Sequence, residues 1–373
     1  MKKKVSPKHL WFMPWANVSN QIKLGPVTIW PYSGQRARRI NNPEIRAFLR
    51  RYLRKYVDNS GAPVRTIAIC SHDQYDFSND LSKKRLIQIN QDIRRAVDAL
   101  ILTTIGNGTV QGIIHKNWSG PPNSDRYQIY QQKFFPDSDD ISVRVGSCLL
   151  GGWDMKRLKF PQPLCLGGLL DSPDRYLLAG FKSVFRSTKL PDEIENRLWR
   201  SLEWFRLSHF DSDDISNETR VTMMSTAFES LISVPQDVDD KQHAIAQWLV
   251  ENICYEDSIA IKRKNSNNEY SNIIEVAHWF LEFYNRRNQI IHGRINPDSL
   301  SYKRKGHDKR HHLLVADVVY FNAVLALLLN YDCISTHSLK GLGSKQDRCK
   351  FLKRLHNIRN VHQSLGWIES KQN

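Results

Sequence analysis

Residues 313–329 constrain the fold more than any other stretch of the chain. They read LLVADVVYFNAVLALLL, apolar on every helical face and interrupted only by Asp317 and Asn322. A membrane span needs about 20 predominantly apolar residues. This run is shorter and carries a carboxylate, so it predicts a buried core helix. The segments before it have the punctuation of covering helices. Pro191-Asp192-Glu193 is a helix start, with Pro in the first turn and acids complementing the helix dipole. Helical spacing then predicts elements over 191–208, 217–233, 241–254, 272–292 and 308–331, with a basic helix over 345–362 closing the chain.

The first half reads differently. Residues 22–32 are rich in β-branched and aromatic side chains around Gly25-Pro26, and 64–70 resemble a buried strand. Helices are predicted over 43–56 and 82–103. From 110 to 185 short apolar runs alternate with Gly, Pro, Asn and Asp, which predicts several strands joined by turns. The expected class is α+β. A mixed N-terminal domain covers 1–186, an all-α bundle 187–335 and a basic C-terminal helix 336–373. No internal repeat is present.

With 54 basic residues against 38 acidic, the formal net charge is +16. That excess favours polyanionic partners, nucleic acid first and acidic membrane second. Three basic clusters carry much of it. Arg36, Arg38, Arg39, Arg46, Arg50, Arg51, Arg54 and Lys55 surround the first helix. Lys303, Arg304, Lys305, Lys309 and Arg310 follow the 272–292 helix, and Lys345, Arg348, Lys350, Lys353, Arg354 and Arg359 line the last. The six cysteines form no C-x-x-C pair, which argues against a zinc ribbon or a thioredoxin-like centre and leaves reduced thiols as the expectation. Residues 9–15 are too short, and too interrupted by Pro14, to form a signal-peptide core. A cytoplasmic protein without a membrane partner is expected. His311-His312 beside His307 have no Cys or carboxylate at ligand spacing, so no metal is expected. The pairs Gly151-Gly152 and Gly167-Gly168 read as turns, since no phosphate-loop motif occurs. Trp11, Trp15, Trp30 and Tyr32 are aromatic enough to form a base-stacking platform.

The chemistry is concentrated in the 272–292 helix. Val276, Phe280, Phe283 and Ile290 share one stripe, and Arg287 falls on the same line. A charge on an apolar face needs a partner or a cleft. Glu229, flanking the stripe Val221, Met224, Phe228 and Leu231 of an earlier helix, is the expected partner. Asn288 and His292 are four apart and share a face, and Gly293 lets the helix end beside the histidine. An imidazole titrates near neutral pH and transfers protons. A guanidinium fork binds phosphate and stabilises charge on a phosphorane.

The run Arg286-Arg287-Asn288-Gln289-Ile290-Ile291-His292-Gly293 resembles the R-x(4–6)-H signature of HEPN domains, and Ser225–Leu231 is similar to the matching helix of the ApeA-like HEPN group. The resemblance covers about residues 190–335. It implies a metal-independent and cofactor-free RNA endonuclease that leaves 2′,3′-cyclic phosphate and 5′-hydroxyl ends. The substrate would be RNA such as tRNA or mRNA, and the role anti-phage defence by abortive infection. Arg287, Asn288 and His292 would be catalytic, Glu229 and Arg286 supporting, and Lys303, Arg304, Lys305, Lys309 and Arg310 RNA-binding. One motif per chain implies a homodimer through the helical domain. The N-terminal domain would sense a phage-derived trigger or position substrate. The alternative is a non-catalytic HEPN module for dimerisation and RNA or protein binding.

Overall fold

A computed structural model describes residues 8–32, 43–64, 67–75, 80–115, 123–134, 141–145, 148–152, 157–163, 173–186, 189–210, 214–234, 240–253, 260–264, 270–294, 300–302, 310–334, 362–365 and 367. The architecture is mixed α and β. The chain divides into two compact units, one of residues 1–101 with 123–172, the other of 102–122 with 173–373.

The first unit is built on a seven-stranded antiparallel sheet. Its strands are β1 (Lys8–Met13), β2 (Ile22–Leu24), β3 (Val27–Pro31), β5 (Ala68–His72), β6 (Tyr130–Phe134), β7 (Ile141–Val145) and β8 (Cys148–Gly152), in the order β2-β3-β5-β1-β6-β7-β8. Short β4 (Tyr56–Val57) and β9 (Leu158–Lys159) pair in parallel beside it. Strand β1 is central and buried on both faces beyond Lys8, which explains the apolar run from Leu10 to Met13. Leu10 and Phe12 join a core with Leu49, Tyr52 and Leu53 of α1 (Pro43–Leu53). There Phe12 stacks on Tyr56 and Tyr130, and Phe160 meets all three rings edge-on, at centroid distances of 4.8–5.7 Å. On the other face the Trp11 indole donates to Asn90 Oδ1 at 2.7 Å on α2 (Lys83–His115).

The expected four-ring stacking platform is therefore corrected. Trp11 and Trp15 are buried core residues, while Trp30 and Tyr32 are only partly buried. Helix α2 is also longer than expected. Its buried positions start as an amphipathic stripe at Ile89 and Ile93 and close to full burial over 96–103, and the division between the two units falls inside it.

The second unit contains α3 (Arg175–Val184), α4 (Asp192–Ser208), α5 (Asn217–Leu231), α6 (Lys241–Ile253), α7 (Glu275–Ile291) and α8 (His312–Asn330). The expected all-α character is corrected by two antiparallel ribbons, β10 (Ala260–Lys264) with β11 (Tyr270–Ile274), and β12 (Ser301–Tyr302) with β13 (Arg310–His311). The β10–β11 register sets Ile261 opposite Ile273, and the polar run Asn265–Glu269 separates the two arms in sequence. Helix α3 lies where strands were expected. Its Asp174 cap accepts from the Tyr176 and Leu177 amides. The change of composition near 187 lies between α3 and α4, inside this unit.

Helix α8 is the buried centre. By length and composition it is apolar enough to cross a membrane, yet 89% of its apolar window is buried inside the protein. Aromatic and small residues fit neighbours to it. A Cβ on Gly106 of α2 would run into the Phe321 ring, and one on Gly180 of α3 would stand 2.8 Å from Leu328. Tyr320 stacks on Phe205 at 5.0 Å and meets Phe228 edge-on at 5.3 Å.

The carboxylate of Asp317 is buried and fully engaged. His209 Nε2 lies 2.8 Å from Oδ1, and the Thr109 hydroxyl donates to Oδ2 at 3.3 Å. Burial alone would push the His209 imidazole down. The Asp317 charge and hydrogen bond, with the Phe205 carbonyl, outweigh it and hold the imidazole above its ordinary value. A raised folded-state value means that the pair contributes fully below the unfolded histidine value of about 6.5 and is lost as pH rises through the folded one. Denaturant titration at pH 6 and pH 9 should therefore show wild type losing stability across that interval. Asp317→Asn should lower stability by about 3 kcal/mol at pH 6 and flatten the dependence. An unchanged pH slope in the variant would contradict this account.

Candidate active site at the C-terminal end of helix α7

Helix α7 starts buried and ends exposed. Val276, Phe280 and Phe283 are in the core, with Trp279 and Phe283 stacked at 5.3 Å. From Tyr284 the helix runs outward, Arg287 and Ile290 are half-buried, and Ile291 is 52% exposed. Gly293 ends it. Its φ of 65° is left-handed, its amide donates to Ile290 O at 3.0 Å, and the Arg294 amide donates to Gln289 O at 2.8 Å. These two bonds form a Schellman motif, the reason a glycine stands there. His292 is the C-cap and is exposed.

Arg287 sits in a frame of three side chains. Its Nη2 is 3.7 Å from Glu229 Oε1 of α5, so the expected ion pair is present. Its Nη1 donates to Asn288 Oδ1 at 3.0 Å. Its guanidinium lies 5.2 Å from the centre of the Tyr284 ring. The Tyr284 hydroxyl in turn donates to Glu229 Oε1 at 2.7 Å. Burial, then the neighbouring Glu229, pushes the Tyr284 phenol up to about 12, so it stays a donor at neutral pH. Tyr284 was not singled out in the sequence because it lies off the apolar stripe. Its position three before Arg287 on a helix was the available signal.

The remaining expected residues fall in several places. Asn288 holds the guanidinium, and only its backbone carbonyl meets His292, accepting from that residue's amide at 3.1 Å. Arg286 faces elsewhere, donating to Gln289 Oε1 at 2.9 Å and standing 3.9 Å from Glu282. Burial would raise the Glu282 carboxyl, but the His312 imidazole beside it, then His278 and Arg286, hold it below its ordinary value. Arg287 and His292 are five positions apart, which on an α-helix is a turn of about 140°. Within one chain they point to different sides of the helix end.

Arg310 is half-buried in β13, while Lys303, Arg304, Lys305 and Lys309 lie outside the described residues, as does the 345–362 helix except His362. The tandem histidines diverge. His311 caps α8 by accepting from the Leu313 amide at 3.2 Å, and His312 is buried against Phe283 and Tyr302. Among the described residues no group of three or more His, Cys, Asp or Glu is placed to hold a metal ion. The thiols of Cys70 and Cys333 are buried and raised by burial, to about 12 and about 11. No protein-family model, curated protein or solved structure matches the chain.

Proposed function

We propose that the chain is a metal-independent RNA endonuclease of the HEPN type, acting as a homodimer, with residues 187–335 as the HEPN-like bundle. The observation that carries this reading is the frame of Glu229, Tyr284 and Asn288 around a half-buried Arg287, one and a half turns before an exposed imidazole. A guanidinium held this way is already oriented for a phosphate.

In the reaction the 2′-hydroxyl attacks its own 3′-phosphate. An imidazole accepts the hydroxyl proton, Arg287 stabilises charge on the equatorial oxygens, and a second imidazole protonates the departing 5′-oxygen. The products are a 2′,3′-cyclic phosphate and a 5′-hydroxyl. One His292 per chain supplies one of these proton transfers, so a second copy supplies the other. Pairing two α7 ends about a two-fold axis also removes the divergence of Arg287 and His292, because the guanidinium of one protomer meets the imidazole of its partner. Ile291, the exposed isoleucine between them, would be covered by such pairing. The net charge of +16 suits a polyanionic substrate. Assignment to tRNA or mRNA, to the cytoplasm and to abortive infection with a phage-derived trigger rests on the family resemblance.

Purified protein incubated with RNA in EDTA should cleave it and leave cyclic phosphate ends. His292→Ala and Arg287→Ala should each lose at least about 100-fold in rate while keeping wild-type melting curves. A metal requirement would overturn the mechanism, and equal cleavage by both variants would remove the site. Ile291→Asp should shift the protein to monomer in sedimentation and abolish cleavage. An active monomer would refute the composite site.

Tyr284→Phe keeps the ring under the guanidinium and removes the hydroxyl that positions Glu229. It should lower kcat by about tenfold, or about 1.4 kcal/mol of barrier, with little change in KM. Glu229→Gln should act in the same direction. Full stability and activity in Glu229→Gln would remove that carboxylate from the frame.

A further inference from the structure

Helix α1 has an apolar face in the core and a line of arginines on its flank. Leu49, Tyr52 and Leu53 fill the aromatic core. Arg46, Arg50 and, just past the helix end, Arg54 follow one another at four-residue intervals along a flank of that core face, rising about 6 Å per helical step. Arg50 and Arg54 are exposed and Arg46 is half-buried. No described residue forms an ion pair or hydrogen bond with any of the three guanidinium groups. Lys55 adds a fourth cation, its ammonium 5.1 Å over the Tyr52 ring. Like charges at i,i+4 weaken a helix, and nothing described inside the protein offsets them.

Two aromatic rings pack against the same core as α1. Trp30 and Tyr32 occupy alternate positions at the end of β3, with ring centroids 6.5 Å apart and tilted by 46°. Both are half-buried and lean on the aromatic core, and the Tyr32 amide donates to Ile67 O at 2.7 Å, which fixes the strand end. Tyr32 is close enough to Arg50 and Arg54 to feel both charges. Burial raises its phenol, and the two arginines oppose that.

We propose that the arginine stripe of α1 and the rings of Trp30 and Tyr32 form a docking surface for single-stranded nucleic acid. The guanidinium groups take successive phosphates, and the rings take the faces of unpaired bases. A duplex would offer only its phosphates, since its bases are stacked on one another. A lipid surface fits less well, because Leu49, Tyr52 and Leu53, the described apolar side chains of that face of α1, are already used in the core. This surface belongs to the first unit and stands independently of the nuclease reading.

The test is fluorescence anisotropy of the full chain with a labelled oligodeoxythymidine of about twelve nucleotides. This probe has no 2′-hydroxyl and cannot be cleaved by the proposed mechanism, so binding is read whether or not the protein is a nuclease. The double variant Arg50→Ala/Arg54→Ala should bind at least about tenfold more weakly and reduce the salt slope by about 1.4, the release from two phosphates of a single strand. Tyr32→Leu should weaken binding about tenfold at unchanged salt slope, whereas Tyr32→Phe should bind like wild type. Unchanged affinity in the double arginine variant, with its fold intact by melting, would overturn the proposal. So would equal affinity for a duplex of the same length, or capture by anionic vesicles that the arginine substitutions abolish.

Discussion

A helix with apolar side chains on every face exists in water only when other elements cover all of it, and α8 imposes that condition on the second unit. Its single carboxylate adds a stricter one. An unpaired buried charge costs several kcal/mol, so Asp317 must meet partners wherever the helix comes to rest. His209 reaches it from the end of α4 and Thr109 from the second half of α2. The positions of three elements are thereby tied to one side chain. Tyr320, one turn further along, stacks on Phe205 of α4 and meets Phe228 of α5. Phe228 also packs on Phe280 and Phe283 of α7. The meeting of Glu229 with Arg287 follows from that chain of contacts, since Glu229 is the residue after Phe228 and Arg287 lies one turn past Phe283.

What could be read from the sequence was whatever depends on local chemistry. The Gly25-Pro26 turn between β2 and β3, the Asp192-Glu193 start of α4 and the Gly293 end of α7 are each decided by a few neighbouring residues. The apolar stripe of α7 was legible for the same reason. What could not be read depends on distant residues. Gly106-Asn107-Gly108 is a poor helix-forming triplet, which placed the end of α2 near residue 103. The helix continues to His115 because the missing side chain at Gly106 is where the Phe321 ring lies, more than two hundred positions away. The β10–β11 ribbon was hidden because Lys262, Arg263 and Lys264 are poor strand-formers. Helix α3 is a different case. Leu177, Gly180, Phe181 and Val184 have helical spacing after a capping Asp174, but the surrounding Gly- and Pro-rich sequence masked it.

The candidate site shows the same division. That Arg287 needs a carboxylate was legible, because a charge beside Phe283 and Ile290 must be neutralised. That Tyr284 shares the carboxylate was not, because the phenol's partner comes from another helix. Helical spacing set Asn288 on a face with His292, whereas its side-chain oxygen accepts from Arg287 Nη1 at 3.0 Å.

The frame around Arg287 restrains the guanidinium without saturating it. Nη2 stands 3.7 Å from Glu229, a distance that supplies charge neutralisation but not a hydrogen bond. The stronger bond of Glu229 is the 2.7 Å one from Tyr284. A carboxylate so occupied yields the guanidinium to a phosphate more readily than one in a bidentate pair, because it keeps a donor when the arginine turns to the ligand. Nε is buried and without a hydrogen-bond partner, so the edge left to an incoming anion is the one carrying Nη1 and Nη2. On the proposed reading, Tyr284 sets the balance between an arginine locked into a structural pair and one released to a substrate.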